Sequence, residues 1–129
     1  MSFFKGIFNS NSSESPQSSN VNWTPLTNLE QLEEIINESE NSSVLIFKHS
    51  TRCSVSRMAL RHFEKGYINQ INIKPYFLDL IEYREVSNAI AERFQVVHQS
   101  PQIVLIQKGK TVYHASHNSI DASIVLQYV

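Results

Sequence analysis

Residues 47–56 read Phe47-Lys48-His49-Ser50-Thr51-Arg52-Cys53-Ser54-Val55-Ser56 and join an apolar run to the start of a helical pattern. The apolar run, Val44-Leu45-Ile46-Phe47, is short, β-branched and aromatic, which is typical of a buried strand. The pattern that follows predicts a helix from about Cys53 to Lys65, ended by Gly66. Cys53 is the only cysteine among 129 residues, and the pattern places it at the strand-to-helix junction.

The elements on either side of this stretch predict the rest of the architecture. A helix precedes it, capped by Thr27 or Asn28, with apolar positions at Leu29, Leu32, Ile35 and Ile36. The later elements are a strand at 75–80, a helix at 84–94, strands at 102–106 and 111–114 joined by Lys108-Gly109-Lys110, and a helix at 120–129 opened by Ser119 or Asp121.

The resulting order, α-β-α-β-α-β-β-α, predicts an α/β fold. Strands separated by helices imply parallel pairing with right-handed crossovers, and the hairpin adds an antiparallel edge. A four-stranded mixed sheet flanked by helices on both faces satisfies this order.

The chain divides into two regions by composition. Residues 9–20 are almost all Ser, Asn, Glu, Gln and Pro, and too little of them can be buried to offset the cost of ordering. We therefore predict a flexible tail over residues 1–20 and a single domain over residues 21–129. The tail begins with the apolar Phe3-Phe4-Lys5-Gly6-Ile7-Phe8, which either anchors weakly to a membrane surface or partner, or docks on the domain itself or stays disordered.

Composition excludes several classes of function. A net charge of −1 gives no electrostatic reason to expect a nucleic-acid partner. One cysteine cannot form an internal disulfide, so this is not a secreted disulfide scaffold. No run of about 18 apolar residues predicts a membrane span, and the apolar N-terminal stretch is too short for a signal peptide. We expect a cytoplasmic monomer.

Cys53 is the candidate catalytic residue. The thiolate is the form that attacks disulfides, and a helix N-terminus offers unpaired N–H groups and positive potential that favour it. Arg52 and Arg57 add positive charge, so we expect Cys53 to ionise more readily than a free thiol. Ser56 stands where a Cys-x-x-Cys protein has its resolving thiol, and its hydroxyl either supports the thiolate or is merely a first-turn helix residue.

No metal site is predicted. His114 and His117 are three residues apart, but one cysteine is too few for a thiolate-rich zinc site. His49 precedes the cysteine loop and is either a residue near the thiol or, the interpretation that we favour, a strand-end residue.

The order of elements resembles the thioredoxin fold. Three features carry the resemblance: a cysteine that opens a helix after a strand, Ser100-Pro101 before the third strand, and the terminal hairpin and helix. More narrowly, residues 23–129 are similar to the monothiol bacilliredoxins of the YtxJ-like family, which have a Cys-Pro-Ile-Ser type motif after His-Ser, and Ser-Pro-Gln before the third strand. Ser54 departs from that pattern, because the family usually has Pro there.

The resemblance implies a function. It implies a cis Pro101 facing the thiol, with Thr51, Ser100 and Pro101 binding substrate. It implies a monothiol disulfide reductase that removes a low-molecular-weight thiol, bacillithiol in that family, from S-thiolated proteins. The small thiol is then a co-substrate, and no other cofactor is expected. Two alternatives stay open: a non-catalytic adaptor in which Cys53 is incidental, and a thiol-based redox sensor.

Overall fold

The computed structural model describes residues 20–129. The predicted tail of residues 1–20 therefore lies, except for Asn20, outside the described residues. Within them the strands are β1 (Thr24–Pro25), β2 (Ser43–His49), β3 (Ile73–Asp79), β4 (Gln102–Gln107) and β5 (Lys110–Ser116). The helices are α1 (Glu30–Glu38), α2 (Ser54–Gly66), α3 (Arg84–Arg93) and α4 (Ala122–Leu126), with a 3₁₀ turn at His117–Ser119.

The strands form one mixed sheet in the order β1-β3-β2-β4-β5. β3 runs parallel to both β1 and β2, whereas β4 is antiparallel to β2 and to β5. The sheet has five strands rather than the predicted four, because β1 is only two residues long and one of them is Pro25. So short an edge strand leaves no alternating pattern in the sequence.

The direction of β4 also differs from the expectation. Helix-separated strands were expected to be parallel, which holds for β2 and β3 but not for β4. Residues 94–101 carry the chain from the end of α3 back to the end of the sheet where β3 stopped. β4 therefore starts beside the last residues of β2 and runs the opposite way.

Helices cover both faces of the sheet, as predicted. On one face, Phe47 of β2 packs in a cluster with residues of α2 and α4, including Phe63 and Val125. On the other face, Ile46 packs in a cluster with residues of α1 and α3, including Ile35 and Ile90. All seven residues of β2 are buried, so this central strand holds the two halves of the core together.

Capping and turn chemistry fix the helix starts and the hairpin. Asn28 Oδ1 accepts the Gln31 N–H at 3.0 Å, and the Gln31 side chain accepts the N–H of Asn28 at 3.2 Å. This reciprocal pair confirms the predicted cap. The last helix is shorter than predicted, and its cap is Asp121, which accepts the Ser123 N–H at 2.9 Å.

The hairpin between β4 and β5 turns at Lys108 and Gly109, whose φ angles are 52° and 75°. Two successive positive φ values match the turn that joins tightly paired antiparallel strands. The register then shifts between Leu105 and Ile106, which leaves an extra residue in β5.

Candidate functional site

Three strand ends bring the candidate residues to one end of the sheet. β2 ends at His49, and its Lys48 lies opposite Gln102, the first residue of β4. Gln102 also lies opposite Ser116, the last residue of β5. The loop that carries Cys53 and the Ser100-Pro101 segment therefore adjoin at the ends of neighbouring strands.

Cys53 is the N-cap of the 13-residue helix α2. Its backbone is extended, with φ −118° and ψ 122°, and its carbonyl accepts the Arg57 N–H at 3.1 Å. The Cys53 N–H donates to the Ser50 carbonyl at 3.3 Å, which closes the turn before the helix. Cys53 is a free cysteine and, as a residue, is partly exposed.

Two arginines flank Cys53 in the chain, and the first turn of α2 has no acidic residue. Arg52 is exposed beside Cys53. Arg57 is one turn into the helix, and its Nη1 donates to the Thr51 carbonyl at 3.2 Å. This bond bridges the helix and the loop across Cys53. The unpaired N–H groups at the helix N-terminus add to the same potential.

Ser56 is fully buried, and its hydroxyl is held by the strand that precedes the loop. Its Oγ accepts the Ser50 N–H at 3.0 Å and lies 2.7 Å from His49 Nδ1. No hydrogen bond joins Ser56 to the Cys53 sulfur within residues 20–129. Direct support of the thiolate by Ser56 stays a prediction.

His49 belongs to this site through Ser56, although the sequence pattern favoured a strand-end role over a place near the thiol. It is buried, and its ring lies 5.4 Å from the ring of Phe77. The signal that could have revealed it is its position: an imidazole ends a strand that is otherwise mostly apolar, seven residues before Ser56. A polar side chain on a buried strand needs a hydrogen-bonding partner, and Ser56 is within reach.

The Ser100–Pro101 peptide bond is cis, as the resemblance implied. The Pro101 carbonyl accepts the His117 N–H at 3.1 Å, which ties this segment to the turn after β5. The Ser100 hydroxyl is buried, and it has no hydrogen-bond partner in the described part of the chain.

Comparisons with known proteins agree with this geometry. Residues 24–125 match the family described as monothiol bacilliredoxin BrxC. This chain belongs to the monothiol bacilliredoxin family. Its thiol redox character follows from that membership.

Solved structures give this bacilliredoxin the thioredoxin fold. One, described as a candidate oxidoreductase with a thioredoxin fold, is 31% identical, with a TM-score of 0.69 over 80% of this chain and 89% of that chain. Thioredoxin from Trypanosoma brucei brucei is 18% identical, with a TM-score of 0.64 over 81% and 85%. Mitochondrial thioredoxin 3 from Saccharomyces cerevisiae is 19% identical, with a TM-score of 0.63 over 83% and 92%.

Ser54 stands where the bacilliredoxin pattern usually has Pro. It is the first residue of α2 and is exposed. Proline favours this helix position because its missing N–H has no intrahelical partner there, and Ser54 adopts the same position. The departure leaves the start of the helix intact.

Metal-ligand clusters and membrane-spanning helices were both sought among the described residues. Among residues 20–129, no three His, Cys, Asp or Glu side chains converge as a metal ion would need. No helix in the same range has both the length and the apolar character to cross a bilayer.

Proposed function

We propose that this bacilliredoxin is a monothiol reductase that removes a low-molecular-weight thiol from S-thiolated proteins through Cys53. The observation that carries the proposal is the placement of Cys53, a partly exposed residue at the N-terminus of α2, with a buried serine at the resolving position. Such a thiol can attack a disulfide, but it has no internal thiol to complete the cycle.

The first step transfers the small thiol to the enzyme. The Cys53 thiolate attacks the small-thiol sulfur of the protein mixed disulfide. A new disulfide forms between Cys53 and the small thiol as the old one breaks, and the protein leaves as a thiolate that takes a proton from water. The protein sulfur is reduced, and the oxidised state passes to Cys53.

The second step needs an external thiol. Its thiolate attacks the small-thiol sulfur of the Cys53 adduct, forms a disulfide with it, and releases Cys53 as a thiolate. The Ser56 hydroxyl cannot perform this step, because an alcohol oxygen does not reduce a disulfide.

Bacillithiol is the small thiol that we propose, supported by the family's description as a bacilliredoxin. We propose that Thr51, Ser100 and Pro101 bind the thiolated peptide beside Cys53. This assignment is supported by the sheet register, because the loop that carries Thr51 and Cys53 and the Ser100-Pro101 segment lie at the same end of neighbouring strands. We also propose a cytoplasmic monomer, which fractionation and size-exclusion chromatography under reducing conditions would test.

Mass spectrometry tests the chemistry directly. Incubation with oxidised bacillithiol, and separately with oxidised glutathione and coenzyme A disulfide, is expected to add one small thiol at Cys53. The Cys53→Ser variant is the control and should gain no mass. Absence of an adduct with all three thiols would contradict the reductase proposal and favour an adaptor.

Turnover separates a reductase from a sensor. With an S-bacillithiolated protein and excess external thiol, the wild-type chain is expected to release the protein thiol faster than the external thiol alone. A chain that forms the adduct but gives no acceleration would be a sensor, contrary to this proposal.

A further inference from the structure

Lys48 is a buried, positively charged residue that takes no part in the proposed disulfide exchange. It lies in β2 among apolar residues, and its side chain is 0% exposed. Successive strand residues point to opposite faces, so Lys48 shares the face of Ile46, away from the face of Phe47 and α2. Burying an ammonium group is costly, and a polar contact must offset part of that cost.

The contact that Lys48 makes is to the segment leading to Pro101. Lys48 Nζ lies 2.8 Å from Nδ1 of His98, an exposed residue of the loop after α3. An ammonium group can only donate, so His98 Nδ1 is the acceptor and the ring is neutral. Burial, followed by the charges of Lys48 and Arg84, lowers the pKa of His98, which keeps the ring in this accepting form.

Gln102 holds the same loop from the neighbouring strand. It is 1% exposed and lies directly opposite Lys48 in the β2–β4 register. Its Nε2 donates to the Val97 carbonyl at 3.0 Å, and its Oε1 accepts the Gln99 N–H at 3.4 Å. Two buried polar side chains on adjacent strands therefore bind three consecutive loop residues, Val97, His98 and Gln99.

We propose that Lys48, together with Gln102, is a positioning residue that fixes residues 97–100 so that Ser100 can engage the thiolated peptide beside Cys53. This inference rests on the proposed function. Because Lys48 and Cys53 are associated with opposite faces of the sheet, Lys48 acts through the loop and leaves the reactivity of the thiol itself unchanged.

Two rate measurements test this positioning role. The first is the second-order rate of Cys53 with a peptide that carries a bacillithiol mixed disulfide, and the second is its rate with iodoacetamide, which needs no peptide binding. His98→Ala is expected to lower the peptide rate roughly tenfold, the scale of one lost charge-assisted hydrogen bond, and to leave the iodoacetamide rate unchanged.

Further variants separate positioning from general damage. His98→Gln retains a side-chain oxygen that can accept from Lys48 and should restore most of the peptide rate. Lys48→Met should match His98→Ala, and the double variant should be no slower than either single variant. If Lys48→Met does not fold, His98→Ala still carries the test, because the His98 side chain is exposed.

The outcomes distinguish this inference from the proposed function. A wild-type chain that reacts with iodoacetamide but not with the peptide would overturn the reductase function and the positioning role with it. A wild-type chain that reacts with both, and a His98→Ala variant equal to it, would overturn the positioning role alone. An equal fall in both rates would also overturn it, because the loss would then lie in the thiol.

Discussion

At the residue scale, the bond between His49 and Ser56 determines whether the serine can assist the thiolate. Ser56 Oγ already accepts from Ser50 N–H, and it has one proton to donate. If that proton goes to His49 Nδ1, none is left for Cys53. If His49 Nδ1 is itself the donor, the Ser56 proton is available to the thiolate. The tautomer of His49 thus determines whether the Ser56 hydroxyl has a proton to donate to the Cys53 thiolate.

The Ser56→Ala variant tests this arrangement. We expect its free energy of unfolding to fall by about 1–2 kcal/mol, since the Ser50 N–H loses its acceptor in a buried place. If Ser56 also supports the thiolate, alkylation of Cys53 by iodoacetamide at neutral pH slows. Ser54→Ala is the matched control, an exposed serine two residues earlier that should change neither quantity. Unchanged alkylation in Ser56→Ala would contradict the support role.

Restoring a second thiol should change the end product of the reaction. In Ser56→Cys, thiols at i and i+3 lie on the same side of the helix start, within reach of each other. The introduced thiol is then expected to displace the small thiol and leave an internal disulfide with Cys53. Mass spectrometry should show loss of the adduct and of two hydrogens. An adduct that persists as long as in Ser56→Ala would show that a side chain at position 56 cannot reach the Cys53 sulfur.

At the element scale, the backbone at the start of α2 has the conformation that a proline at position 54 would require, although this chain has Ser54 there. Cys53 has φ −118° and ψ 122°, the extended conformation that a following proline requires. Ser54 occupies the first helical position, where proline is most readily accepted. The backbone of the family motif is therefore present even though its proline is not.

The Ser54→Pro variant should consequently be more stable than the wild type. We expect the free energy of unfolding to rise by about 0.4–1 kcal/mol, because proline restricts the unfolded chain without straining the folded one. Urea denaturation followed by Trp23 fluorescence measures it, since Trp23 packs against Phe47, Phe63 and Phe77. Met58→Pro, at another exposed site within α2, should instead destabilise by about 3 kcal/mol or more. A loss of stability in Ser54→Pro would contradict this account of the helix start.

At the scale of the whole molecule, the buried lysine makes stability depend on pH. Burial lowers the pKa of Lys48 to about 8, against an ordinary value of 10.5. Between these two pH values the unfolded chain binds a proton at Lys48 that the folded chain does not, so the free energy of unfolding rises with pH. This rise in the free energy of unfolding is complete above about pH 10.5 and is lost as the pH falls toward 8.

Comparison with Lys48→Met isolates this effect. Between about pH 7.5 and 9.5, Lys48 should raise the wild-type free energy of unfolding by about 2 kcal/mol, a rise that the variant lacks. Higher pH is avoided because of Tyr67, whose pKa burial raises to about 12. This shift lowers the free energy of unfolding as the pH rises above about 10, opposite to the effect of Lys48. Urea denaturation at several pH values measures both chains. Parallel pH profiles would show that Lys48 is not protonated differently in the two states.

Local patterns predicted much of the fold, whereas contacts between distant residues were missed. The helices and four main strands follow from apolar spacing, and the Asn28 cap and the Gly109 turn follow from residue chemistry. The direction of β4 depends on where residues 94–101 lead the chain, which no local pattern records. The contact between Lys48 and His98 joins residues 50 positions apart, so only the folded sheet brings them together.

The two outermost strands have a consequence for association. β1 is two residues long and contains Pro25, and β5 is interrupted by the register shift opposite Leu105 and Ile106. Short, proline-bearing or bulged edges are poor templates for strand addition by a second chain. Pairing of a second chain's strand with either edge of this sheet is therefore disfavoured.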